Sequence, residues 1–123
     1  MNKSFYITTP IYYVNDSPHI GTAYTTILAD VLSRYQKQLG NDSFFLTGLD
    51  EHGQKVQEAA IKRGVNPKDH CDEMAKSFIS LWDRLHISNN DFIRTTEHRH
   101  KVVVEKILQI VYDSGDIYED EYE

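Results

Sequence analysis

Residues 4–22 read Ser-Phe-Tyr-Ile-Thr-Thr-Pro-Ile-Tyr-Tyr-Val-Asn-Asp-Ser-Pro-His-Ile-Gly-Thr, and the fold turns on how they are read. Phe5 to Thr9 is a β-branched and aromatic run with strand character. Pro10 stops it, because proline has no N–H to give to a sheet ladder. After a loop, Ser17-Pro18 predicts a helix start, with serine as N-cap and proline in the first helical position. His19, Ile20, Gly21 and Thr22 then fill the first turn. A strand leading through a loop to a helix N-terminus is where open α/β folds hold anions, since the first amides of a helix are unpaired and its dipole is positive there.

Outward from this stretch, Tyr24, Ile27, Leu28, Val31, Leu32, Tyr35 and Leu39 recur at helical spacing and carry the helix to about Leu39. Gly40 suits the position just past its end. Ser43 to Leu49 predicts a short strand buried on both faces, ending in Gly48-Leu49-Asp50-Glu51-His52-Gly53. A second helix follows with Val56, Ala59 and Ala60 inward and a stop at Gly64. Asn66-Pro67 repeats the cap-plus-proline start, and Cys71, Met74, Ala75, Phe78, Leu81, Trp82 and Leu85 form one amphipathic stripe. Asp91 to Thr95 predicts a brief strand. Glu97 opens a last helix whose predicted buried face is Val103, Val104, Ile107, Leu108 and Val111, closed at Ser114-Gly115-Asp116. Ile117 to Glu123 alternates as a nascent strand. Strands alternating with helices imply a parallel sheet covered on both sides. The sheet is small, and the chain reads as the first half of a nucleotide-binding domain, entering another module at its end.

The 123 residues, 40% of them hydrophobic, suffice for one core. A net charge of -6 gives the surface as a whole no long-range pull on nucleic acid. The single cysteine, Cys71, excludes an internal disulfide and a multi-cysteine zinc site. No apolar run is long enough to span a bilayer, and the opening residues lead into a strand rather than a signal segment, so a cytoplasmic protein is expected.

The residues with chemistry lie at strand ends and at the first helix start. Gly21 has no side chain, so a flat base can lie against the turn, and His19 points where phosphate oxygens would sit. Neither a Walker loop nor a Gly-x-Gly-x-x-Gly fingerprint is present. Asp50, at the carboxyl end of the second strand, is either a helix-capping carboxylate or a partner for a ligand ammonium group. Glu51 and His52 read as solvated loop residues. Tyr12 and Tyr13 read as partly core, with one ring free to line a pocket. His98 and His100 are two apart on a helix and cannot face one metal, and His70-Cys71 fails for the same reason. Arg99, Lys101 and Lys106 read as a solvated face.

From Thr8 to Thr26, and again over Phe45 to Gly53, Asp91 to Glu97 and Ser114 to Tyr118, the chain resembles methionyl-tRNA synthetases, which are class I aminoacyl-tRNA synthetases. His19-Ile20-Gly21 matches the first three letters of the class I "HIGH" signature; the fourth is Thr22 rather than histidine. The resemblance implies a Rossmann-like (HUP-type) α/β fold and ATP-dependent joining of methionine to its tRNA, with residues 1–116 as the amino-terminal half of the catalytic domain and 117–123 as the start of a connective insertion. It implies catalytic roles for His19 and Thr22 and ATP binding by Asn15, His19, Gly21 and Thr22. Methionine is expected to meet Ile11, Tyr13 and Asp50, the last through its ammonium group. ATP is expected with Mg2+, zinc only in parts of the family's proteins beyond this chain, and tRNA(Met) as partner, with neither membrane nor DNA involved. The lysine-bearing "KMSKS" loop also lies outside these residues, so the chain alone is expected to be inactive or weakly active. The alternative is a synthetase-like module that binds methionine or nucleotide without catalysis.

Overall fold

The computed structural model describes residues 3–121. In chain order they form β1 (Ser4–Thr8), β2 (Tyr12–Tyr13), α1 (Ile20–Gln38), β3 (Asp42–Asp50), α2 (Gln54–Arg63), α3 (Pro67–Arg84), β4 (Asp91–Arg94) and α4 (His98–Asp113). All strand pairs are parallel and β3 is central. Leu46 pairs with both Thr8 and Asp91, and Leu49 with both Tyr12 and Arg94. A strand has two edges, so β1 and β2 share one edge of β3 and β4 holds the other.

β2 is therefore the resumption of β1 after Pro10, a piece the sequence reading assigned to a loop. Between Thr8 and Tyr12 the edge chain advances four residues while β3 advances three, Leu46 to Leu49. The extra residue is a bulge, and it reverses the alternation of side chains. Phe5, Ile7 and Thr9 are the more buried positions before it; Tyr12 and Val14 are the more buried ones after it. The opposite edge is pinned by Gly48, where a Cβ would lie 2.1 Å from the Ile93 carbonyl oxygen. No other residue fits there.

The core gathers Val14, Leu49, Val56, Cys71, Ala75, Phe78 and Trp82, with Tyr12 and Phe92 against it. α3 supplies most of it along the predicted stripe. Its start is as read: Asn66 accepts the Asp69 N–H at 2.8 Å and Pro67 follows. α2 ends on Gly64 at φ +69°, a left-handed conformation that favours glycine.

Other expectations are corrected. The sheet is not covered on both faces: Tyr6 and Phe44 stack at 6.0 Å on one side and stay exposed. β3 alternates at its start and is buried on both faces only near Leu49. α1 turns its large apolar side chains, from Tyr24 to Tyr35, to the outside and buries Thr22, Thr26, Ala29, Asp30 and Ser33. The small inner residues let the helix approach closely, with Ser33 and Ser43 hydroxyls 2.9 Å apart. Burial alone would raise the Asp30 carboxyl; hydrogen bonds from the Ser88 side chain, Arg34 and the Ser88 amide outweigh it and hold the group below its ordinary range. α4 has none of its predicted face buried, because no element of the described residues lies against Val103, Ile107 or Leu108. Residues 117–121 form no strand, and Tyr122 and Glu123 lie outside the described residues.

Candidate active site

The helix start differs from its reading by two residues. His19, not Ser17, is the N-cap of α1: its backbone is extended, and its Nδ1 accepts the Gly21 N–H at 3.1 Å. A backbone amide only donates, so the hydrogen of the neutral ring sits on Nε2. The exposed His19 ring therefore offers a donor while capping its own helix. A Cβ at Gly21 would lie 3.0 Å from the ring, so a side chain there would displace the ring by a few tenths of an ångström. The amide of Gly21 is occupied; those of Ile20 and Thr22 lack an intrahelical partner, as first-turn amides do.

A cavity of about 400 Å3 opens beside this turn. Ile11, Tyr13, Asn15, His19 and Thr22 line it, so the fold brings together five of the residues singled out in the sequence. Tyr12 and Phe78 close its floor, the Tyr12 hydroxyl lying 2.9 Å from that of Thr26 and its ring stacking on Phe78 at 6.1 Å. Thr22 is 5% exposed, and its carbonyl oxygen accepts from the Thr26 hydroxyl at 3.0 Å. Tyr13 is exposed and also lines a neighbouring cavity with His52 and Gln54.

Asp50 is outside the cavity lining but is the register partner of Tyr13, at the carboxyl edge of the sheet. It does not cap α2; that position is Gly53, whose φ is +106°. Asp50 Oδ1 instead accepts the His52 N–H at 3.2 Å. The second carboxylate oxygen has no hydrogen bond among the described residues.

Glu51 overturns its solvated reading. Its side chain is fully buried and accepts from Arg94 Nε at 2.6 Å and from the Thr96 hydroxyl, while its amide donates to Thr95 Oγ1 at 2.9 Å. Arg94 reaches on to Asp72 at 2.6 Å, and Lys68 meets the other Asp72 oxygen. Hydrogen bonds from Lys68 and Arg94 hold Asp72 down to about 2. Burial works against the charge of Arg94, but its bonds to Glu51 and Asp72 raise it further. Burial, with Glu51 near, pushes the Cys71 thiol up, so that residue is a core member rather than a nucleophile. His70, dismissed as a ligand, is 1% exposed and hydrogen-bonded through both ring nitrogens. Arg99 is no bare surface charge: it joins α4 to Asp91 and to the Phe92 carbonyl. The hint available in the sequence was position alone, Glu51 beside Asp50 at a strand end and Arg94 at the next. Among the described residues no group of three or more histidine, cysteine or acidic side chains is placed to hold a metal, and no helix is long and apolar enough to cross a membrane.

The family model described as "tRNA synthetases class I (M)" matches residues 5–123. Methionine--tRNA ligase of Fusobacterium nucleatum is 56% identical over all 123 residues, which correspond to 19% of that protein. The Bacillus subtilis methionine--tRNA ligase is 54% identical over 99% of the chain and 18% of its own length. A solved structure of Mycobacterium tuberculosis methionyl-tRNA synthetase in complex with methionyl-adenylate superposes with a TM-score of 0.96 at 38% identity, covering 98% of this chain and 24% of that one. The chain thus spans about a fifth of the length of the curated relatives it matches. Matched by the family model from Phe5 to its last residue, it belongs to the class I tRNA synthetases, in their methionyl branch.

Proposed function

We propose that this chain supplies one wall of an active site that activates methionine with ATP and passes it to tRNA(Met). The reading rests on the cavity in which Ile11, Tyr13, Asn15, His19 and Thr22 converge, with Asp50 in register beside Tyr13. It is supported by the likeness to a synthetase solved with methionyl-adenylate. The methionine carboxylate attacks the α-phosphorus of ATP and pyrophosphate leaves in line. The adenylate is then transferred to the tRNA 3′ end. Such a displacement needs mainly positioning and charge stabilisation. His19 Nε2–H and the open amides of α1 meet phosphate oxygens, and Gly21 leaves room for the adenine. Asn15 and the Thr22 hydroxyl add donors. Asp50 pairs with the methionine ammonium, the Ile11 backbone joins it, and the Tyr13 ring lies against the thioether. Magnesium arrives with the triphosphate. Zinc belongs to other parts of the family's proteins, and Cys71 in the core is unsuited to it. Residues 1–116 are the catalytic half-domain and 117–123 lead into an insertion. The work is cytoplasmic, with neither membrane nor DNA as partner.

Methionine-dependent exchange of pyrophosphate into ATP, measured on the full-length protein, tests this. Exchange is expected, with Asp50→Ala raising the methionine KM roughly 10- to 100-fold, as for one lost charged hydrogen bond. Methionine and ATP binding without exchange would leave a binding module instead.

A further inference from the structure

Two segments meet at the proposed site. The loop from Val14 to His19 joins β2 to α1 and carries Asn15 and His19. The end of β3 carries Asp50. Both are tied to the same turn of α3. His70 Nε2 lies 2.7 Å from the Val14 carbonyl oxygen, and its Nδ1 lies 2.9 Å from Arg63 Nη1. The carbonyl can only accept and the guanidinium can only donate, so His70 is a neutral ring with its hydrogen on Nε2. Two residues on, Asp72 accepts from Arg94, whose Nε holds the buried Glu51 carboxylate next to Asp50. Between them Cys71 Sγ approaches the Glu51 carbonyl at 3.9 Å. Val14 is fully buried and His70 nearly so, which makes an unmade bond there expensive.

We infer that the turn His70–Asp72 sets the two halves of the site against each other: His70 positions the nucleotide-side loop through the Val14 carbonyl, and Asp72 positions Asp50 through Arg94 and Glu51. Both are positioning residues, since neither lines the cavity beside His19. The inference rests on the proposed function for which half takes which substrate, but the ties themselves do not depend on it.

Geometry supplies a crossed pair of variants. The amide of Gln reaches as far as the histidine Nε2 and can still donate to Val14. The Asn amide stops near Nδ1, keeping a partner for Arg63 and losing Val14. In the full-length protein, His70→Asn is expected to raise the ATP KM about tenfold while the methionine KM stays within about twofold. His70→Gln is expected to leave both within about twofold, and Asp72→Asn to raise the methionine KM in preference to that of ATP. Amide hydrogen exchange read on the same proteins should quicken over residues 14–22 in His70→Asn and over 48–53 in Asp72→Asn, with little crossover. Equal KM changes for both substrates in every variant, or unaltered exchange over residues 14–22 in His70→Asn, overturn the inference. If the unsubstituted protein shows no pyrophosphate exchange, the proposed function falls, and the amide-exchange pattern still decides the ties.

Discussion

α3 and α4 carry the same message in sequence and meet opposite fates. Each has an apolar stripe at helical spacing, each follows a strand or turn, and each is at least sixteen residues long. α3 buries His70, Cys71, Ala75, Phe78 and Trp82, whereas α4 buries none of its residues. α4 is held instead at its first turn, by Arg99 bonded to Asp91 and Phe92. Periodicity therefore states that a face is to be covered and says nothing of what covers it. The outer side of α1, from Ile20 to Tyr35, teaches the same lesson.

The difference can be put to measurement. Phe78→Ala removes a ring packed between Tyr12 and Trp82, and chemical denaturation of this chain should show a loss of about 3–5 kcal/mol. Leu108→Ala on α4 should change stability by no more than about 0.5 kcal/mol. A comparable loss at both sites would mean that α4 is covered after all. Next in size are the helix starts. Asn66→Ala should cost about 1 kcal/mol, because its side chain caps α3, whereas Glu97→Ala should cost a few tenths, as Glu97 makes no capping bond to α4. Equal thermal shifts would erase the contrast. The smallest effect concerns acid. Asp72 has its folded value lowered to about 2 from an ordinary 3.8, so its contribution is full above the ordinary value and lost as pH falls through the folded one. Asp72→Asn should flatten the fall in urea midpoint between about pH 4 and about pH 2, modestly because the side chain is a third exposed. An unchanged slope would detach Asp72 from the folded state's acid response.

What the sequence made legible was whatever local chemistry determines. Asn66-Pro67 and Gly64 mark α3 and the end of α2 because capping and positive φ select residue types directly. The strands at Ser4 and Asp42 stand out through their β-branched and aromatic content. The parallel order follows from their alternation with helices. Less legible was anything set by partners distant in the chain. His19 and Ser17 are both polar residues at the helix start, and it is the His19 ring that takes the Gly21 amide. Glu51 looks like a loop carboxylate until Arg94 and Thr96, more than forty residues away, take its oxygens. Tyr12 and Tyr13 are too short a strand to announce themselves, yet they decide which ring faces the site.

That last point follows from the single extra residue between Thr8 and Tyr12. A strand is a two-phase pattern, and an insertion of one shifts its phase by half a period. Were the ladder continuous with no residue bulged out, Tyr12 would fall opposite Asp50 instead of Leu49, so Tyr13 would move to the core and Tyr12 outward, with every cavity residue still present in the sequence. The edge strand would be more regular and the main chain at Ile11 would be drawn into the ladder. Composition would be unchanged while the two tyrosines exchanged trades. Which aromatic ring meets the ligand is thus a matter of parity, set by a count of residues rather than by their kind.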